Sequence, residues 1–120
     1  MKITRLLITP IATGLLTLAA PWQALAGSAT WQANPMSGDW YTAQNWMPNT
    51  VPDAAGDVAT FGSSTVTDLI VHATSVEVSE IIFEPGADPY SISIEVANIL
   101  VTGSGIINES ESVQTFLTPV

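Results

Sequence analysis

Cysteine is absent from the 120 residues, and the two Lys/Arg side chains, Lys2 and Arg5, both lie at the amino terminus. Without cysteine the chain has no access to the disulfide framework on which many small secreted domains depend. Stability then rests on burial and backbone hydrogen bonding. Histidine occurs once, as His72, and no G-x-S-x-G elbow, HExxH helix or P-loop is present. A lone histidine is usually a surface or satisfied structural residue, so the sequence predicts a protein that is not an enzyme and carries no cofactor. The carboxylate pairs Asp53/Asp57 and Glu77/Glu80 are close in sequence, but nothing in the sequence marks either as the tuned acid–base pair of a glycosidase.

Lys2 and Arg5 precede an apolar stretch, 6–20, that ends at Ala24-Leu25-Ala26. A charged start, a hydrophobic segment short of a bilayer span and a small-x-small site together read as a secretory signal peptide, with cleavage between Ala26 and Gly27. The competing reading, an uncleaved anchor, lacks a basic stop-transfer flank. Residues 1–26 are therefore expected to be a signal-peptide helix and 27–120 the exported part, secreted or held at the cell surface or outer membrane. That part has eleven carboxylates and no Lys or Arg. Nucleic acid needs basic residues to displace counterions, and anionic lipid attracts the same residues, so both partners are excluded for the mature segment. Its acidity reads as a solvated surface. Asp53-Ala54-Ala55-Gly56-Asp57 offers oxygen ligands around a turn, but calcium needs six to eight, and no metal site is expected.

The composition divides the mature chain. Residues 27–56 hold Trp31, Trp40 and Trp46 among Pro, Asn and Gly, and predict a short strand at 29–32, a turn at 37–40 and one helical turn at 42–46. Residues 57–120 are rich in Val, Ile, Thr and Phe with no helical period. Strands are expected at 58–61, 69–72, 75–78, 81–83, 91–96, 99–101, 106–107 and 113–117. Tyr90, Ile92, Ile94 and Val96 share one face of a half-buried strand. Three stretches, centred on 59–61, 81–83 and 99–101, read as successive repeats, with Phe61, Phe83 and Val101 equivalent. Periods near 20 residues with short strands fit a parallel β-solenoid. An antiparallel β-sandwich would give a similar strand spacing and is the alternative.

One set of residues favours the first. Trp31, Gly38-Asp39-Trp40-Tyr41-Thr42-Ala43-Gln44-Asn45-Trp46, Val51-Pro52 and Asp57-Val58-Ala59-Thr60-Phe61 form a G-x-W-x-x-A-x-N-W element followed by a proline and a D-x-A-x-F strand. This resembles the opening of bacterial autotransporter-type passengers and related exported β-helical surface proteins. Ile81-Ile82-Phe83 and Ile99-Leu100-Val101-Thr102-Gly103-Ser104-Gly105-Ile106 resemble their coils. The resemblance implies an all-β, right-handed parallel β-solenoid, incomplete at Val120 beside the longer members of that family. It also implies a structural or adhesive role towards a host-surface or polysaccharide ligand. Trp31, Trp40 and Trp46 then have two readings. As an aromatic cap they cover the open end of the first coil; as exposed rings they form the sugar platform of a carbohydrate-binding module.

Overall fold

The computed structural model describes residues 27–72, 75–95 and 98–118. The expected signal-peptide helix, with Ala24 and Ala26, lies outside them; Gly27 lies within. Among the described residues the chain is all-β, with strands β1 (Ala29–Trp31), β2 (Trp46–Met47), β3 (Val58–Phe61), β4 (Asp68–Val71), β5 (Val76–Phe83), β6 (Ser91–Ile94), β7 (Ile99–Asn108) and β8 (Thr115–Leu117). A single 3-10 turn, Ala43–Asn45, stands where a helical turn was expected.

From β3 onward the strands fall alternately into two sheets, ordered β2-β1-β3-β5-β7 and β4-β6-β8. Pairing is antiparallel between β1 and β2 and parallel everywhere else in the two sheets. The antiparallel sandwich is therefore overturned. The physical reason lies in the connections: from β3 onward, strands next to each other in sequence belong to different sheets, and each returns to its own sheet running the same way as the strand it pairs with. Val58 lies opposite Glu80, a step of 22 residues. Asp68 lies opposite Ser91 and Ser91 opposite Thr115, steps of 23 and 24.

Alternation along each strand decides what is buried. Ala59 and Phe61 of β3, Leu69 and Val71 of β4, Ile81 and Phe83 of β5, and Ile92 and Ile94 of β6 turn inward. Together with the three tryptophans and Tyr90 they make one hydrophobic cluster fed by both sheets.

The expected repeat needs one correction. Phe61 does pair with Phe83, but Phe83 then pairs with Asn108, while Val101 pairs with Val78. Residues 99–101 and 106–107 belong to one ten-residue strand, as 75–78 and 81–83 are covered by one strand starting at Val76. The cause is a bulge. Val78 and Glu80 are two residues apart, whereas their partners Val101 and Gly105 are four apart. Gly105 has φ +98°, a conformation that costs glycine little, and a Cβ on Gly103 would overlap Ser79. These glycines serve a bulge and a close backbone pass inside a strand, and so do not end it.

Candidate functional site

Two ends of the ladder differ in how they are finished. At the first, Gly38-Asp39-Trp40 runs beside β4: the Ile70 N–H donates to the Gly38 carbonyl at 2.8 Å and the Trp40 N–H to the Ile70 carbonyl at 3.1 Å. A Cβ on Gly38 would overlap the Asp68 carbonyl oxygen, so only glycine permits this approach. Meanwhile β2 pairs with β1. The first parallel strand of each sheet, β1 and β4, thus has a short segment along its outer edge at this end.

Asn45, fully buried, holds the covering loop together. Its Oδ1 accepts the Met36 N–H at 2.8 Å and the Ser37 N–H at 3.2 Å, and its Nδ2 donates to the Ser37 hydroxyl at 3.0 Å and the Asp39 carbonyl at 2.9 Å. Asp39 closes the tight turn that follows. Its carboxylate accepts the Tyr41 N–H at 3.0 Å and the Thr42 hydroxyl at 2.7 Å. His72, half exposed, approaches the same carboxylate at 3.3 Å, a surface contact beside this loop.

The three tryptophans are 2%, 0% and 0% exposed for Trp31, Trp40 and Trp46. Trp46 is edge-on to both Trp31 and Trp40, each with ring centroids 5.0 Å away, and Phe61 lies 5.5 Å beyond it. Offset and edge contacts of this kind suit aromatic quadrupoles. All three indole N–H groups have acceptors: the carbonyls of Val66, Pro52 and Trp40, at 2.9, 3.1 and 2.8 Å. The stack continues through Phe61 and Phe83, 5.2 Å apart, to Tyr90 and Phe116. Rings buried to this degree have no face to offer a sugar, so the exposed platform weighed from sequence is not formed.

No family model, curated protein or solved structure matches the chain. What the site can do is read from its geometry alone.

At the second end, β7 and β8 are the outer strands of their sheets. Ile106, Leu100, Val113 and Leu117 are exposed there by half or more. Ile106 occupies the inward register of Ala59 and Ile81, both fully buried, yet is itself 50% exposed. Among the described residues no strand pairs with the outer edge of β7 or β8, so this end offers an apolar surface with open strand edges.

The acidic residues singled out from sequence are joined through backbone amides. The Asp57 carboxylate accepts the Asp53 N–H at 3.1 Å, and the Asp53 carboxylate accepts the Glu77 N–H at 3.2 Å. Among the described residues no three of His, Asp and Glu converge in a way that could hold a metal ion. Sequence reasoning missed Asn45 and Asp57 as buried polar groups, whereas Tyr90, expected on one face with Ile92 and Ile94, is buried with them. Burial pushes the Tyr90 phenol up to about 12; the Asp88 carboxylate acts in the same direction and the Ser64 hydroxyl against it. Its hydroxyl donates to the Gly62 carbonyl at 2.7 Å. The alternation of Tyr90 with Ile92 and Ile94 was a signal for that burial.

Proposed function

We propose that the chain is a segment of an exported, non-enzymatic surface protein, a right-handed parallel β-solenoid with Trp31, Trp40 and Trp46 as its terminal cap. The observation that carries this reading is the repeated register. Ala59, Ile81 and Ile106 stack in one sheet while Leu69, Ile92 and Phe116 stack in the other, in chain-order alternation. Coils of a solenoid bury their apolar faces against neighbouring coils and need an atypical unit where the stack begins. The buried aromatic block suits that unit.

The function that fits is scaffolding: a stiff stack that presents its outer faces, structural or adhesive, in the manner of the exported β-helical proteins the sequence resembles. Partner chemistry follows from charge. A chain with eleven carboxylates, all but Asp57 at least partly exposed, and no Lys or Arg after residue 5 suits neutral polysaccharide or a basic host-surface protein, and repels anionic polymers.

Protease shaving of intact cells tests the placement. Mature chain released from the outside of the cell, and tryptophan emission that stays blue-shifted and unmoved by polysaccharide, are the expected results. A chain found only in the cytoplasm, or emission quenched by polysaccharide, would sink the reading.

A further inference from the structure

The ends, the outer faces and the buried polar groups of the molecule leave one group without an explanation. Asp57 is a carboxylate only 7% exposed, in a mature chain that has no Lys or Arg to pair with it. A buried carboxylate without a counter-charge is costly. Among the described residues it accepts the Asp53 N–H and has no cationic partner. The charged side chains on the elements bordering it, Asp53 in the same loop and Glu77 and Glu80 on β5, are all acidic.

Gly27 is packed on this carboxylate. The residue is buried, has φ +116°, and a Cβ placed on it would overlap both Asp57 carboxylate oxygens. The neighbouring register holds it there: the Ser28 hydroxyl accepts the Val58 N–H at 2.9 Å, and Ala29 pairs with Ala59. The nitrogen and the Cβ position of a residue both sit about 1.5 Å from its Cα, so bond lengths alone put the Gly27 nitrogen within about 5 Å of the carboxylate. Rotation about the Cα–C bond of a terminal glycine, unhindered by any side chain, swings the nitrogen toward the point where that Cβ would clash. Its arc passes through hydrogen-bonding distance.

We infer that signal-peptide cleavage creates the missing counter-ion: the α-ammonium of Gly27 pairs with Asp57 and locks β1 onto β3. The inference rests on cleavage between Ala26 and Gly27. Hydrolysis of that bond by the signal peptidase consumes one water, leaves the carboxylate on Ala26, and leaves on Gly27 an amine that is protonated at neutral pH. In the precursor the same nitrogen is an uncharged amide. Processing thereby completes the fold at its first rung, and a glycine is required at the new terminus because any side chain would occupy the carboxylate's place.

The test compares the mature chain beginning at Gly27 with one that keeps Ala26 in front of it, each with Asp57 and with Asp57→Asn, which preserves an acceptor for the Asp53 N–H. A hydrogen bond to a charged group corresponds to about a ten- to hundredfold change in an equilibrium constant. The Gly27 chain should therefore show a folding constant larger by about that factor in urea titrations, and the advantage should vanish in Asp57→Asn. A free α-amine titrates near about 8. Pairing raises that value in the folded chain, so the advantage is full below about pH 8 and fades as pH climbs through the raised value. Because the mature chain has no lysine, an acetyl N-hydroxysuccinimide ester reports on this one amine, and the folded Gly27 chain should react at least about tenfold more slowly than its Asp57→Asn variant. Equal stability of the two wild-type forms, a difference that survives Asp57→Asn, or equal acylation rates would overturn the ion pair. Intact mass of the exported product judges the other part separately: a first residue other than Gly27 overturns the cleavage reading and the processing role, while the stability cycle still decides whether the pair forms.

Discussion

The two ends of the ladder are made from similar apolar residues and reach opposite outcomes. At the first, β2 and the 38–40 segment flank the outer edges of β1 and β4, and Phe61, Trp40 and Trp46 are fully buried. At β7 and β8 the inward positions continue in register, but Ile106, opposite buried Ile81, is half exposed, and Phe116, opposite buried Ile92, is only partly buried against the cluster. The difference teaches that inward orientation alone does not bury a residue in a stacked sheet. It must also have a rung on either side, and a terminal rung acquires its second neighbour only from an atypical segment such as 36–47.

That contrast can be tested first by truncating aromatics at the two ends. Phe61→Ala and Trp46→Ala should each cost about 3–5 kcal/mol in urea unfolding, as large-aromatic truncations in packed cores do. Phe116→Ala, with one side open, should cost about half as much. Equal losses at the two ends would break the comparison. Asn45→Ala comes next, at about 2 kcal/mol, because it leaves the Met36 and Ser37 amides without their acceptor. Its damage should be confined to the cap, seen as faster hydrogen exchange at Ile70, whose N–H is bonded to Gly38.

Tyr90 supplies a smaller effect with a distinct pH signature. Its phenol is raised from 10.0 to about 12 in the fold. The stability this represents is fully present below about pH 10 and is lost as pH rises from there through about 12, since the unfolded chain ionises first. Tyr90→Phe should cost about 1 kcal/mol at neutral pH through the lost bond to Gly62, and should flatten that alkaline fall. A wild-type stability curve level between pH 10 and 12 would contradict the burial of the hydroxyl. Smallest is the effect of salt. Raising sodium chloride from about 0.01 to about 0.15 M shortens the screening length from about 30 to about 8 Å. Repulsion among the carboxylates should weaken, and the melting temperature should rise by a few degrees; a fall would refute the repulsion.

Much of this was legible in the residues, and the exceptions have physical causes. The strand at 58–61 was expected because Val, Thr and aromatic residues alternate there with a small inward alanine, and β3 has those bounds. The turn at 42–46 was legible because Asp39 and Thr42 favour local side-chain hydrogen bonds, and the 3-10 turn falls within it. The break expected within 99–107 came from treating Gly103 and Gly105 as punctuation. In a sheet with a close neighbour, glycine instead lets one backbone pass another, a role that depends on a strand about 24 residues away and leaves no local mark. Parallel pairing was similarly ambiguous, since strand spacing alone suits either topology. The G-x-W-x-x-A-x-N-W spacing drew attention to residues 38–46, but whether its rings face in or out depends on Phe61 and Pro52, which lie outside it. Asp57 gave no sign of burial, because its environment comes from residues 27–28 at the other end of the cap.

The parallel register of β3, β5 and β7 holds the architecture together, and an isotope-resolved NOESY spectrum of the chain from Gly27 to Val120 reads it directly. The expected result is a chain of cross-strand contacts linking Thr60 to Ile82 and Ile82 to Ile107, with amide-to-Hα contacts of the parallel type and ring contacts between Phe61 and Phe83. Close Hα–Hα pairs between these strands, the mark of antiparallel neighbours, or contacts that place Val101 rather than Asn108 opposite Phe83, would contradict it.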